Sequence, residues 1–487
     1  MKEERWKGVL VVVLCITAWT VAAIAADGTQ PAISRERLEA TATPEAEPHH
    51  HIQGEWLDWF HNPAPYLEMG LDHRFRTITA RNIVTLDTDD KNNKYNFQRY
   101  RTRWWTKWLL GDDVDFNTRL IWEFRTWDEP STKPQHTDFD ELLFDKLNFT
   151  VRNTFDLPLT SVIGRQEILD INPWLVFDAT PLDGSRTIMF DAARFTYDWK
   201  ETDSKIDLVW VYHKAASDAW LKPFNDRDKH FTEQDENGLI LYLKNKSIKD
   251  TQIEGYFIYK NDNPVDVTPQ DFPASWSKKG EIFTYGAALA GKIDENWGYR
   301  LEGALQTGDK YSSITGDQED LRAYGSKNTL KYNFNDPSNN ELHVGYEYLS
   351  GDDPGTSKIE QFDPLWGEWP QWSELYIYTY SPETMIAETT NLHRLYFGHS
   401  FKPSPKWTIN TDYHLLWADD DPLGGRTSRY SSSGKFRGQL LTCWLKWRCC
   451  KQLSAHFLGE YLIPGNFYNQ SNKDGAFFLR FNFQYAF

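Results

Sequence analysis

Arg99, Arg101 and Arg103 recur at every second position, and Lys107 follows in the same phase. A guanidinium is planar, stays charged at physiological pH and pairs with carboxylates through parallel hydrogen bonds. Spaced two apart on a β-strand, such groups point the same way. That chemistry suits weak, repeated holding of anions rather than bond making. Arg74, Arg76, Arg119, Arg125, Arg300, Arg394 and Arg480 occupy the corresponding phase of other extended stretches. Asp72, Glu123, Glu302, Glu347 and Glu460 share those faces, so the competing reading is a charge ladder that hydrates and stiffens a wall.

The elements that position these side chains are strands of strict alternation. In Leu67–Thr79, Met69, Leu71 and Phe75 oppose Asp72, Arg74 and Arg76; near the end, Leu479, Phe481, Phe483, Tyr485 and Phe487 oppose Arg480, Asn482 and Gln484. Phe478 is the one large apolar residue on that polar face. About eighteen such segments follow one another, joined by connections that alternate short and long, the pattern of an outer-membrane barrel with an apolar outside and a polar lumen. Strands buried on both faces would instead be apolar throughout. No long stretch shows helical periodicity. The fold expected is therefore all-β: a transmembrane antiparallel β-barrel of about 18 strands, with short periplasmic turns and long extracellular loops.

Lys2, Arg5 and Lys7 precede an apolar run from Val9 to Ile24 that ends in small residues, which reads as a cleavable signal peptide over residues 1–25. Residues 26–64, rich in Ala, Pro and Glu, read as a periplasmic tail, and 65–487 as the barrel. The His49-His50-His51 tract reads as solvated tail rather than as a metal site. The formal charge of −17 argues against nucleic acid as a partner. Cys443, Cys449 and Cys450 fit no zinc spacing. No cofactor, metal site or catalytic residue is expected. The inward His343, His414 and His456 have no evident nucleophile beside them in sequence. Much of the acid lies in loops, including Asp87, Asp89, Asp90, Asp352, Asp353, Asp419, Asp420 and Asp421. There it is screened within about 8 Å, and solvation is preferred over calcium binding as its role.

Three segments resemble the alginate export family of outer-membrane proteins: Gly164-Arg165-Gln166-Glu167; Phe190-Asp191-Ala192-Ala193-Arg194-Phe195; and Gly345 to Asp353 followed by Phe362-Asp363-Pro364-Leu365. The resemblance implies an eighteen-stranded barrel whose cationic lumen passes anionic polysaccharide, typically alginate, and it adds Arg165 and Arg194 to the candidate residues. A polyuronate carries one carboxylate per sugar, and a conduit for it needs cations that bind weakly enough to let the chain slide. The substrate-binding candidates are thus Arg74, Arg99, Arg101, Arg103, Arg119, Arg165, Arg194, Arg300 and Arg394. The longest connection, Gly351–Glu388, carries Trp366, Trp369, Trp372, Tyr376, Tyr378 and Tyr380 and could fold inward as a constriction or pack over neighbouring loops.

The expected function is an outer-membrane pore for anionic polysaccharide or oligosaccharide, by passive diffusion. The alternatives are a general or sugar-acid uptake porin, an outer-membrane enzyme and a structural barrel. Expected partners are outer-membrane lipid, lipopolysaccharide, the saccharide itself and periplasmic export components. The barrel is expected to be a monomer.

Overall fold

The computed structural model describes residues 55–133, 135, 141–177, 189–224, 230–265, 279–312, 315–384, 386–420 and 429–487. The signal segment, the tail to residue 54 with its histidine tract, and Asp421 lie outside the described residues. The strands of the first half are β1 (Leu67–Arg81), β2 (Lys94–Leu109), β3 (Val114–Glu129), β4 (Glu141–Val151), β5 (Leu159–Gln166), β6 (Phe190–Trp199), β7 (Ser204–His213), β8 (Gln234–Asn245) and β9 (Thr251–Pro264). Those of the second half are β10 (Gly280–Lys292), β11 (Trp297–Tyr311), β12 (Gln318–Asn333), β13 (Glu341–Leu349), β14 (Leu392–Ser404), β15 (Trp407–Trp417), β16 (Phe436–Arg448), β17 (Leu453–Pro464) and β18 (Ala476–Ala486).

Each strand pairs antiparallel with its sequence neighbour, and β1 also pairs with β18, so the eighteen-stranded sheet closes on itself. Closure gives every wall backbone group a partner, which a lipid environment demands. The alternation read from sequence is realised in β18. Leu479, Phe481, Phe483 and Tyr485 are exposed outward, while Phe478, Arg480 and Asn482 are buried inward. The end with short turns is the periplasmic one. One loop departs from the expected rhythm: β11 and β12 run on to Tyr311 and from Gln318, so their connection is short where a long loop was read. Continued pairing, Lys310 with Glu319 and Tyr311 with Gln318, accounts for it.

Two α-helices are present among the described residues, α1 (Glu55–His61) and α2 (Glu374–Thr384), and no helix there is long and apolar enough to cross a membrane. The first falls within the stretch read as tail. Its Phe60 ring lies 5.3 Å from that of Phe487, and His61 Nδ1 lies 2.9 Å from the Met69 carbonyl. An apolar ring at the wall's base is thereby covered. The Phe487 amide donates to the Leu71 carbonyl at 2.8 Å, and the Leu71 amide donates back at 2.5 Å, sealing the join between the first and last strands.

Deleting Phe487 removes both of those bonds and the ring contact. The amount of heat-modifiable folded protein in outer-membrane fractions is expected to fall; an unchanged amount would contradict the role given to this join.

Candidate functional site

Inward parity lines the middle of the barrel with paired charges. Register sets Arg103 opposite Asp72, Arg101 opposite Arg74, and Arg99 opposite Arg76. The sequence shows no acid between the arginines of β2; the neighbouring strands supply them. Arg103 Nε lies 2.8 Å from Asp72, Arg101 Nη2 lies 3.4 Å from the same carboxylate, and Arg99 Nε lies 2.5 Å from Glu123 on β3. Arg74 approaches Glu123 at 3.8 Å, and Arg76 Nε donates to Asn482 Oδ1 at 2.7 Å. In this sector five arginines on two strands lie in one phase, with Asp72 and Glu123 beside them. Both terminal nitrogens of Arg103, which is 0% exposed, lack a hydrogen-bond partner among the described residues.

The remaining candidates are spread around the wall. Arg119 grips Asp145 with two 2.8 Å bonds and reaches Glu167 at 2.5 Å. A bulge between Arg119 and Leu120 lets the consecutive Asp145 and Lys146 both take part. Arg165 forks onto Asp191 at 2.8 and 3.0 Å, beneath the rings of Trp220 and Phe231. Gly164 beside it has φ +120°, and a Cβ there would lie 2.3 Å from the Leu147 carbonyl, so glycine is needed for β5 to approach β4. Arg194 bridges Asp170 and Asp207, and Arg300 bridges Glu254 and Glu302. Arg394 pairs with Glu347 at 2.8 Å between the rings of Trp372 and Tyr396. Outside the strands, burial opposes charge on Glu167 and Asp170. Even so, Arg119 with Lys146, and Arg194 with Lys205, hold these two carboxyls well below the usual range.

The wall is graded along the barrel axis. Towards the short turns it carries half-buried lysines that the sequence reading did not collect: Lys146, Lys205, Lys244, Lys292, Lys331 and Lys446. Each lies in inward phase, but one per strand, so no single stretch displays them as a motif. Towards the long loops Ile78, Phe97, Ile240, Ile258, Ile282, Leu392, Leu416, Leu440 and Leu458 are all buried on the inner face, while on β8 and β9 the buried Glu236, Lys260 and Asp262 lie beyond them. Phe478, the exception noted in the last strand, belongs to this apolar end.

Two inward-folded connections cover that end. Asn172 donates to Glu302 at 2.9 Å, Trp174 Nε1 to Glu347 at 3.1 Å, and Trp366 Nε1 to Glu236 at 2.9 Å. The longest connection therefore lies inside the barrel, as the constriction alternative supposed. It contains α2, whose Leu375, Tyr376 and Tyr380 are 0% exposed. Glu460 of the wall accepts from the Leu375 amide at 2.6 Å and the Glu374 amide at 3.3 Å, so an anion caps the positive end of the helix. At the other end Arg437 forks onto Glu383 at 2.7 and 2.6 Å, between the Tyr380 and Phe467 rings. Arg480 holds Glu374 at 3.1 Å. The loop acids have local duties: Asp352 accepts from the Glu360 amide, Asp353 from Gly355 and Asp419 from Gly351. Among the described residues no group of His, Cys, Asp and Glu is arranged to hold a metal.

Gly238 on the inner face of β8 faces Trp366, and a Cβ there would come within 2.3 Å of the indole. Gly238→Ala should therefore loosen the inner segment, by about 1–3 kcal/mol as for other overpacked sites. A higher ionic conductance in planar bilayers is expected; a conductance equal to that of the unmodified protein would contradict this seating.

The alginate export family matches residues 65–476. No curated protein sequence matches the chain. Among solved structures, OccK9 (OpdG) of Pseudomonas aeruginosa aligns with TM-score 0.53 at 10% identity, covering 86% of this chain and 98% of that one. A BenF-like porin from Pseudomonas fluorescens Pf-5 aligns with TM-score 0.52 at 10% identity, with the same coverage. OpdO of Pseudomonas aeruginosa aligns with TM-score 0.51 at 10% identity, covering 87% of this chain and 97% of that one. At such identity these likenesses concern the fold. The match over residues 65–476 runs from just before β1 to the first residue of β18: this chain belongs to the alginate export family and is an outer-membrane pore.

Proposed function

We propose that the pore passes an anionic poly- or oligosaccharide of the alginate type by passive diffusion, with arginine and lysine of the lumen wall as its fixed cations. The observation that carries this reading is the sector of β1 and β2, where register sets Arg101 opposite Arg74 and Arg99 opposite Arg76, with Arg103 in the same phase. Opposed like charges on adjacent strands are destabilising, and charges taken from water are tolerated only with partners. These arginines are buried, so a passing polyuronate would meet them as a positive field behind the lumen surface, with half-buried lysines such as Lys146 and Lys205 as its points of contact. Balanced pairs elsewhere, such as Arg394 with Glu347, attract less and keep the chain from sticking. Net negative charge does not oppose this, because the loop acids are occupied locally and screened from the lumen.

The alternative of a general or sugar-acid uptake porin keeps one observation in its favour. Arg119, Arg165, Arg194, Arg300 and Arg394 all have wall carboxylates of their own, as a hydrated charge ladder would. We read no catalysis into the lumen: His343 pairs with Asp412 at 2.7 Å, and His414 lies 3.3 Å from Arg394. A monomeric barrel surrounded by lipid and lipopolysaccharide, with periplasmic export components as partners, belongs to the same reading.

The double variant Arg74→Gln, Arg101→Gln tests it while leaving Asp72 with Arg103 and Glu123 with Arg99. Block of the ionic current by oligouronates should weaken about tenfold, the equivalent of about 1.4 kcal/mol. Block of equal strength in the variant, or none in the unmodified pore, would leave the uptake-porin reading as the better account. By contrast, Arg103→Met strips Asp72 of its 2.8 Å partner. It should lower stability by about 3–5 kcal/mol, read as an earlier loss of heat-modifiable mobility on heating. An unshifted midpoint would show that the Asp72 pair is not part of what holds the wall.

A further inference from the structure

The inner segment meets the wall of β8, β9 and β11 through an acid-rich seam. Gln306 of β11 accepts from the Asp363 amide at 2.8 Å and donates to its carbonyl at 2.7 Å. The Asp363 side chain pairs with Lys310. Trp366 donates to Glu236 and packs over Lys260, which itself lies 2.9 Å from both Glu236 and Asp262. Glu233, just before β8, and Glu388, at the far end of the inner segment, line one small cavity here with Asp262, Lys279, Lys310 and Asp363. Glu368 faces Glu233, Glu236, Lys260 and Glu388. On the other side of Glu236 stands His213 of β7. Six carboxyls thus meet three lysines across the contact between the inner segment and the wall.

We propose that this seam is a proton-operated latch. Protonated carboxyls let the inner segment seat against β8, β9 and β11. Loss of their protons to solvent at alkaline pH sets like charges against one another and drives the segment off the wall, opening the pore. The two groups that release protons are Glu233 at the wall and Glu368 on the segment, which face each other with Glu236 and Glu388 beside them.

Burial, then Glu236 and Glu388, push the Glu233 carboxyl up to about 8 against the pull of Lys260. Burial, then Glu233 and Glu236, raise Glu368 well above its ordinary value. A carboxyl whose pKa rises on seating binds more protons seated than released. Seating is therefore most stable near and below the ordinary carboxyl range. It weakens as pH climbs towards about 8 and levels off above that.

The latch rests on the barrel being a pore, not on what the pore passes, so potassium chloride carries the test current. Single channels of the full-length protein, recorded in planar bilayers from pH 6 to 9, should open more often as pH rises, by at most about tenfold per unit for one linked proton. Glu233→Gln and Glu368→Gln should each stay shut at pH 9. A flat profile in the unmodified pore overturns the latch, as does a profile that both variants retain. Hydrogen exchange in the unmodified protein guards against variants that do not fold. After correction for intrinsic rates, the Asp363, Leu365 and Trp366 amides should lose protection between pH 6 and 9, and retained protection overturns the latch equally. A pore that opens with pH but ignores oligouronates would keep the latch and sink the saccharide reading.

Discussion

A charge withdrawn from water needs a partner, and in this barrel the partner comes from a neighbouring strand or from an inward-folded loop. That constraint organises the lumen. Glu123 on β3 serves the arginines of β1 and β2, and Asp191 on β6 serves Arg165 on β5. Glu236, Glu302, Glu347 and Glu460 reach inward to hold Trp366, Asn172, Trp174 and the start of α2. The same acids that neutralise the wall therefore anchor what fills it. On β1 and β2 register sets guanidinium against guanidinium, Arg101 with Arg74 and Arg99 with Arg76.

The grading of the wall follows from the two neighbours each level must satisfy. At the long-loop end the inner face meets packed aromatic rings and carries Ile and Leu, except on β8 and β9, where Glu236, Lys260 and Asp262 meet the Trp366 indole. At mid-height it meets the buried end of α2 and its own ion pairs, so it carries Arg, Asp and Glu. Nearer the short turns it carries partly exposed Lys. The outer face is mostly apolar, as a face turned to lipid must be, with a few polar pairs such as His73 with Thr102.

This arrangement explains what the sequence made legible. A period of two needs no partner to be seen, so strand count, closure and the inward direction of Arg74, Arg99, Arg101, Arg103 and Arg300 could be read from one chain. Pairing could not. Asp72 opposite Arg103 depends on register between strands, and Asp145 beside Arg119 depends on a bulge that alternation does not announce. α2 escaped for a different reason. A helix buried among aromatic residues on its several sides has no polar stripe, and the periodicity that would betray it is absent. Phe478 was visible only as an exception to its face, because its apolar partner, Tyr378, lies 100 positions earlier in sequence and 6.4 Å away in space.

The central claim is that the fixed charge of the lumen wall, and not the charge of the whole chain, sets what the pore passes. The reversal potential of the unmodified pore in a potassium chloride gradient measures this directly. The account expects a potential of the sign that marks chloride as the preferred ion, in a protein whose formal charge is −17. A potential of the opposite sign, marking potassium, would contradict it.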